Sequence, residues 1–383
     1  MDNLENFGSI LDLYKKRVSE SINGQTVFIT GGTGSFGQKL VNILFLQFKP
    51  KAVIIFSRDE FKQHHMRTVL GYNETKYPNL YYVIGDIRNR QRIYETLRDY
   101  GVTIVIHAAA IKHVDICEKN PTECIDTNIM GAVNLVNACK DAGVKKVLAL
   151  STDKCVDPVN IYGASKLCLE RIVISSNNFY ALKDDNNTLS TGPLFSVLRY
   201  GNVLGSRGSV VHVFSEQIKS GQIKVTDENM TRFTIMKEEA VNFALNCLSL
   251  MIGGEIFVPE LSTYSIKQFV DVMKPHPNFP VLYTGSRPGE KVHECMISQH
   301  ESHLAFQVDT VKSKRLDDTS QGSFYVIRHN YYGNYVNYEQ YYAKNFGDCI
   351  NQCDKGWSYA SNDNKTIDNH KLRVLINVAF IDV

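Results

Sequence analysis

The chain has no stretch approaching ~20 uninterrupted apolar residues, which excludes a membrane-spanning helix as an expectation. Its 42 Lys and Arg nearly cancel its 40 Asp and Glu, leaving a formal net charge of +2. No basic run forms a stripe, so nucleic acid is not an expected partner. Residues 1–24 lack the apolar core of a secretory leader. The nine cysteines are odd in number and form no CxxC pair, the usage expected of reduced thiols in a cytoplasmic protein. Cys349 and Cys353 lie close together without nearby His, so they are read as incidental and no metal site is expected. What remains is 383 residues, 43% of them hydrophobic, enough for a large core and a second lobe.

The first chemistry-bearing signal follows Thr26-Val27-Phe28-Ile29-Thr30, a short apolar, β-branched run that stops at Gly31-Gly32-Thr33-Gly34-Ser35-Phe36-Gly37. The glycines fit GxGxxG (Gly32, Gly34, Gly37) or GxxGxxG (Gly31, Gly34, Gly37). Either spacing leaves bare backbone at a strand-to-helix turn, where N–H groups and the helix dipole hold a pyrophosphate. Glycine clusters also serve ordinary turns. Here an apolar helical run, Leu40-Val41-Ile43-Leu44, follows directly, which is the context a dinucleotide site requires.

The next run, Ala52 to Phe56, ends in Ser57-Arg58-Asp59-Glu60. An acidic residue at that strand end binds the ribose 2′-hydroxyl of NAD, whereas an Arg accommodates the 2′-phosphate of NADP. Ser57 and Arg58 come first and favour NADP. Asp59 keeps NAD as the less favoured cofactor, although it also suits a cap on the following helix.

Further short apolar runs recur at Leu80 to Ile84, Ile104 to Ile106, Val147 to Leu150 and Phe195 to Leu198. Separated by helix-length segments, they predict an α/β fold: a Rossmann-type doubly wound parallel sheet with a smaller C-terminal substrate-binding lobe. The runs end in Gly85-Asp86, His107 to Ala110, Ser151-Thr152-Asp153 and Arg199 to Asn202. Ligands bind at the carboxyl ends of such strands, so these endings line one crevice. The expected divisions are a helical extension over 1–24 and a dinucleotide-binding domain over 25–204 plus about 234–258. A substrate lobe over 205–233 and 259–328 and a C-terminal extension over 329–383 complete the chain. Leu4, Phe7, Leu11, Tyr14 and Val18 form an amphipathic stripe that suits docking on its own domain or a subunit contact. Residues 329–364, rich in Asn, Tyr and Gly, read as a meandering surface extension closed by a short helix or strand near Leu372 to Phe380.

Ser151-Thr152-Asp153-Lys154, followed by Tyr162-Gly163-Ala164-Ser165-Lys166, carries the reactive groups. Tyr162 and Lys166, four apart, share one helix face. An ammonium beside a phenol favours the phenolate, which makes the Tyr a usable base. Asp153 and Lys154 add an acid and a second possible base.

These residues resemble the extended short-chain dehydrogenase/reductase superfamily. Further segments resemble the inverting UDP-N-acetylglucosamine 4,6-dehydratases, first enzymes of pseudaminic acid-type sugar pathways. They are Ser57 to Glu60, His107 to Val114, Arg199 to Val211, Met230-Thr231-Arg232-Phe233 and Arg287-Pro288-Gly289-Glu290-Lys291. The likeness runs in order from about residue 25 to about 307, and Trp357 to Ser361 resembles that family's C-terminal end.

It implies that Tyr162, with Lys166, takes the proton from the sugar 4-hydroxyl as NADP accepts the C4 hydride. Lys154 is then the C5 base and Asp153 the acid that protonates the departing C6 hydroxyl. Arg207 and Arg287 are candidates to hold the UDP pyrophosphate. Lys112, Ser151, Thr152, Asn202, Val210, Thr226 and Glu290 are implied on the substrate side. On the cofactor side the resemblance implies Gly31, Thr33, Gly34, Ser35, Phe36, Gly37, Ser57, Arg58, Asp59, Glu60, Phe61 and Lys62. Asp86, Ile87, Ala108, Ala109, Val203, Leu204, Gly205, Ser206 and Arg207 join them there, together with Tyr162 and Lys166. Asp86 would equally cap a helix and Val210 would equally be core. UDP-N-acetylglucosamine and a homo-oligomer are the expected partners.

The chain departs from that family at Cys155, where Ala is usual, in a longer N-terminal extension, and over residues 308–350. Tyr162 argues against related dehydratases with Met there, and the missing apolar span argues against membrane-anchored retaining enzymes. The rival readings are another sugar-nucleotide enzyme of this fold (a UDP-sugar 4-epimerase, which needs no Lys154 base, a retaining dehydratase, or a dehydratase with further epimerase activity) and, more distantly, a non-enzymatic dinucleotide sensor.

Overall fold

Seven largely apolar segments form parallel strands, and all but the edge strand are buried along nearly their whole length, as coverage on both faces requires. They are β1 (Thr26–Thr30), β2 (Ala52–Ser57), β3 (Leu80–Ile84), β4 (Ile104–His107), β5 (Lys146–Leu150), β6 (Leu194–Leu198) and β7 (Glu255–Pro259). The computed structural model describes residues 15–177, 192–309, 323–328, 337–346, 349–363 and 366–381. The seven strands lie in the order β3-β2-β1-β4-β5-β6-β7, doubly wound with the reversal between β1 and β4. Alternation sorts each strand between two cores: Val27 and Ile29 enter one, Phe28 the other.

The sheet extends further than the sequence divisions suggest. β8 (Ala305–Val308), β9 (Phe324–Arg328) and β10 (Ile350–Gln352) continue it antiparallel beyond β7, in the order β7-β9-β8-β10. Two of these fall within the segment expected to build the substrate lobe and one within the expected surface extension. Phe306, Val308, Phe324 and Val326 are all buried in the larger core, which explains why that length joins the sheet. The helix Tyr338–Phe346 buries Tyr338, Tyr342 and Phe346 at intervals of four, so this stretch is packed structure rather than a surface meander.

The smaller lobe is a three-stranded sheet of Asn202–Val203, Thr231–Ile235 and Ser262–Ser265, beside a two-stranded pair of Ile223–Val225 and Val281–Tyr283. Its core joins Val211, Phe214 and Phe269 to Leu372, Ile376 and Ala379 of the C-terminal helix Asn369–Ile381. At the other end Val18 and Ile22 are buried in the main core, and Arg17 donates to Ser249 at 3.1 Å. Leu4, Phe7, Leu11 and Tyr14 lie outside the described residues. Among the described residues no helix is long and apolar enough to cross a membrane.

Candidate active site

A cavity of about 930 Å³ opens at the carboxyl ends of the parallel strands and reaches into the smaller lobe. The glycine turn forms one wall. Gly31 adopts a left-handed φ of +67°, and a Cβ there would stand 2.9 Å from the Ala108 carbonyl, so the strand-to-helix turn tolerates only glycine. Gly34 occupies the N-cap of the helix Ser35–Gln47, and a Cβ on Gly37 would overlap the Gly32 carbonyl. Gly31, Thr33, Gly34, Ser35, Phe36 and Gly37 line the cavity, whereas Gly32 packs against Ile55. The GxxGxxG spacing is therefore the one that faces the cavity. Its bare N–H groups at a helix N-terminus fit a dinucleotide pyrophosphate.

Ser57, Arg58, Asp59 and Lys62 line the next wall, while Glu60 and Phe61 turn outward, Phe61 being 74% exposed. The Asp59 carboxylate is engaged locally: it accepts from the Lys62 backbone N–H at 2.9 Å and pairs with Lys62 Nζ at 2.9 Å. Those bonds hold it below the usual carboxylate range. Asp86, with Ile87 beside it in the wall, is held low in the same way by its bonds to Arg88. Ala108 and Ala109 present their backbone between β4 and the glycine turn, both donating to Thr30 Oγ1.

The reactive groups sit where β5 ends. Ser151 and Thr152 leave the strand, a tight 3₁₀ turn holds Asp153 to Cys155, and the helix Ile161–Ser175 follows, capped by Asn160 accepting from Gly163 N–H at 2.7 Å. That helix presents Tyr162 and Lys166 to the cavity. A Cβ at Gly163 would overlap the Lys154 carbonyl oxygen, so glycine lets the helix close onto the turn that carries Lys154.

Lys154 Nζ lies 3.0 Å from Asp153 Oδ1, 3.2 Å from Glu294 Oε1 and 3.3 Å from Asn202 Oδ1. Burial alone would depress the Lys154 ammonium, but the two carboxylates outweigh it and push its pKa up. Burial raises the Asp153 carboxyl against the pull of Lys154, a condition suited to a proton donor. Burial also raises the Tyr162 phenol, and the opposing pull comes from Lys154 and the Thr152 hydroxyl. Lys166 differs from expectation here. Its ammonium turns to the Leu150 carbonyl at 2.6 Å, and burial pushes it down to about 8.

Lys112, Ser151, Thr152, Asn202, Val203, Leu204, Ser206, Arg207 and Val210 complete the cavity wall, and Lys112 Nζ donates to the Arg207 carbonyl at 3.2 Å. Asp153 is fully buried and bonded to Lys154, and it is not itself part of the cavity wall. Gly205 instead meets the C-terminal helix, where a Cβ would stand 2.8 Å from the Ala379 carbonyl. Thr226 bonds Met230 Sδ at 3.5 Å, away from the cavity wall. Arg287 and Glu290 pair with each other at 3.0 Å on an exposed turn. That turn is tied to the site all the same, because Asn160 donates to the Gly289 carbonyl at 2.8 Å.

Two groups were not read from the sequence. Glu294 is 3% exposed beside Lys154, yet it follows the recognised Arg287–Lys291 run by only three residues. Tyr264 lines the cavity from the three-stranded sheet, with a buried hydroxyl. The signal available for Glu294 was a lone charge entering the apolar stretch Cys295-Met296-Ile297. Cys155 lies under the site, its thiol donating to Glu170 at 3.0 Å. Glu170 in turn holds the fully buried Arg199 by two bonds of 3.0 and 2.7 Å, and Glu301 closes the cluster at 3.0 Å.

The chain is similar to known proteins over most of its length. A family model described as "Polysaccharide biosynthesis protein" matches residues 27–315. Over 289 residues the chain is 44% identical to the UDP-N-acetylglucosamine 4,6-dehydratase (inverting) of Campylobacter jejuni, covering 75% of this chain and 81% of that one. It is 35% identical over 327 residues to the UDP-glucose 4-epimerase of Rickettsia canadensis, covering 84% and 87% of the two. The X-ray structure of Pen from Bacillus thuringiensis superposes with a TM-score of 0.77 at 30% identity, over 94% of this chain and 99% of that one.

Proposed function

We propose a function from one premise: the chain belongs to the polysaccharide biosynthesis protein family, within the extended short-chain dehydrogenases/reductases, and there to the inverting UDP-N-acetylglucosamine 4,6-dehydratases. It converts UDP-N-acetylglucosamine to the 4-keto-6-deoxy sugar of L-arabino configuration, as an NADP-dependent hydro-lyase. The observation that carries this reading is Lys154 set between two buried carboxylates on the wall that also holds Tyr162 and Lys166.

When bound, the nicotinamide supplies the hydride acceptor for C4 and the hydride donor for C6. The glycine turn fits its pyrophosphate, and Ser57 with Arg58 fits the 2′-phosphate, since Asp59 is committed to its own helix. Tyr162 removes the proton from the 4-hydroxyl. The 4-ketone that results acidifies the C5 proton, which Lys154 takes. Asp153 delivers a proton to the departing C6 hydroxyl, and its burial favours the protonated form that this step needs. C5 is then reprotonated from the opposite face, which inverts it.

A 4-epimerase would need Tyr162 but no base beside it, so the product separates the two readings. NMR after incubation with UDP-N-acetylglucosamine and NADP in D₂O should show a C6 methyl group, L-arabino couplings and deuterium at C5. D-xylo couplings would remove the inversion and leave the dehydration. A C4 epimer with its C6 hydroxyl intact would remove both.

A further inference from the structure

A lysine must be neutral before it can take a proton, and Lys154 rests among groups that hold it charged. Asp153 lies 3.0 Å away and Glu294 3.2 Å, so two buried carboxyl groups flank one ammonium. Among the described residues, each of these carboxyl groups keeps one buried oxygen without a hydrogen-bond partner, Asp153 Oδ2 and Glu294 Oε2. Asp153 is no available acceptor for the Lys154 proton, because it must itself be protonated to serve the leaving hydroxyl. A second acceptor is required within reach.

We propose that Glu294 is that acceptor: it takes the proton from Lys154 and so arms Lys154 as the C5 base. The inference rests on the dehydratase reading. The proton count balances. Before elimination Asp153 is protonated, Lys154 is an ammonium and Glu294 a carboxylate. Transfer of one proton from Lys154 Nζ to Glu294 gives three neutral groups. Lys154 then takes the C5 proton, the C5–H electron pair forms the C5–C6 double bond, and the C6–O bond breaks as Asp153 protonates the oxygen. The site ends with Lys154 as ammonium, Asp153 as carboxylate and Glu294 still protonated, its total charge unchanged.

Glu294 is built to stay in place. Its backbone N–H donates to Ser361 Oγ at 2.9 Å, and its carbonyl accepts from the Ser361 N–H at 2.8 Å. The strand Cys295–Ile297 that follows pairs with Tyr359–Ala360 of the C-terminal segment. The charged and titratable groups facing the pair are Asp153, Arg232, Lys291, Tyr162 and Tyr264. Arg232 Nε lies 3.9 Å from Glu294, and against the effect of burial Lys154, Arg232 and Lys291 hold its carboxyl below the usual range, so Glu294 rests ionised and carries a proton only transiently.

The test is Glu294→Gln, which keeps the size and polarity but cannot accept a proton. With internal transfer gone, Lys154 must lose its proton to solvent. The dehydration rate should gain an acid limb, falling about tenfold per pH unit below the new Lys154 titration and approaching wild type above it. C4 oxidation needs only Tyr162, so reduced cofactor should accumulate transiently at 340 nm. KM should stay within about twofold of wild type, as an unchanged ground state requires. Glu294→Asp should restore the wild-type pH profile in part. A Glu294→Gln rate that is lowered equally at every pH, or left at the wild-type level, overturns the proposal. So does a Glu294→Asp variant that melts like wild type yet shows the acid limb undiminished. Failure of the dehydratase reading itself would appear in the unmodified chain, as absence of any C6-deoxy product, and would take this proposal with it.

Discussion

Asp59 bears on the proposed choice of NADP because its carboxylate is occupied. A carboxylate at the end of β2 is the group that would select NAD, but here it caps the helix Glu60–Thr68 and pairs with Lys62. On the proposed reading Arg58, in the cavity wall, is then the residue that meets the 2′-phosphate. Arg58→Ala should weaken NADP by roughly ten- to a hundredfold, in line with a charge-assisted hydrogen bond of about 1.5–3 kcal/mol, and leave NAD nearly unchanged. Titration of both cofactors by fluorescence checks this, and an equal loss for the two would make Arg58 merely structural. Motif residues such as the glycines, Tyr162 and Lys154 were legible because their spacing along the chain is itself the signal. Glu294 was not, because its meaning lies in a partner 140 positions earlier, Lys154, which only the folded lobe brings to 3.2 Å. Lys166 was legible as a member of the site but not in its bond, since the Leu150 carbonyl that captures it leaves no trace in spacing.

Elements place these residues, and the contact between the Tyr162 helix and the Lys154 turn is a tight joint. The helix meets the turn at Gly163, where no Cβ fits against the Lys154 carbonyl. Gly163→Ala raises helix propensity by about 1 kcal/mol, so propensity alone predicts stabilisation. The overlap is with backbone, which cannot swing aside, and overpacking of this kind costs about 1–3 kcal/mol. The expected outcome is a small net loss in melting temperature and a much larger loss of turnover, about a hundredfold, because Tyr162 and Lys154 move apart. Calorimetry with steady-state rates on one sample decides it, and unchanged turnover would show that the joint has slack. Among the parallel strands β1 to β6, all but β3 were legible because double-sided burial forces nearly unbroken apolar runs, while β3, at the edge with Tyr81 and Ile84 exposed, was legible from its aromatic and β-branched content. The three antiparallel strands were not: β10 is Ile-Asn-Gln, half exposed, and its place comes from pairing with β8 rather than from its own pattern.

At the scale of the molecule, the last 35 residues close both units at once. β10 covers the edge of β8, Tyr359–Ala360 backs the Glu294 strand, and the helix Asn369–Ile381 fills the small-lobe core. Leu372, Ile376 and Ala379 are almost fully buried there, and Gly205 accepts the helix backbone where any side chain would collide. Fully burying a Leu or Ile contributes about 1.5–3 kcal/mol, so Leu372, Ile376, Ile367 and Tyr359 together rival the 5–15 kcal/mol by which a folded chain of this kind survives. A chain ended at residue 348 should therefore lose its cooperative melting transition and all turnover of the UDP-sugar. Leu372→Ala is the gentler form of the same test. It should cost about 2–5 kcal/mol and raise KM for the sugar nucleotide more than it weakens the cofactor, since Leu372 packs under the small lobe and not beneath the glycine turn. Should the shortened chain melt sharply at the full-length temperature and turn over substrate, the segment would be an appendage. The packing of three distant stretches into one lobe core argues that it is the piece that makes the lobe a lobe.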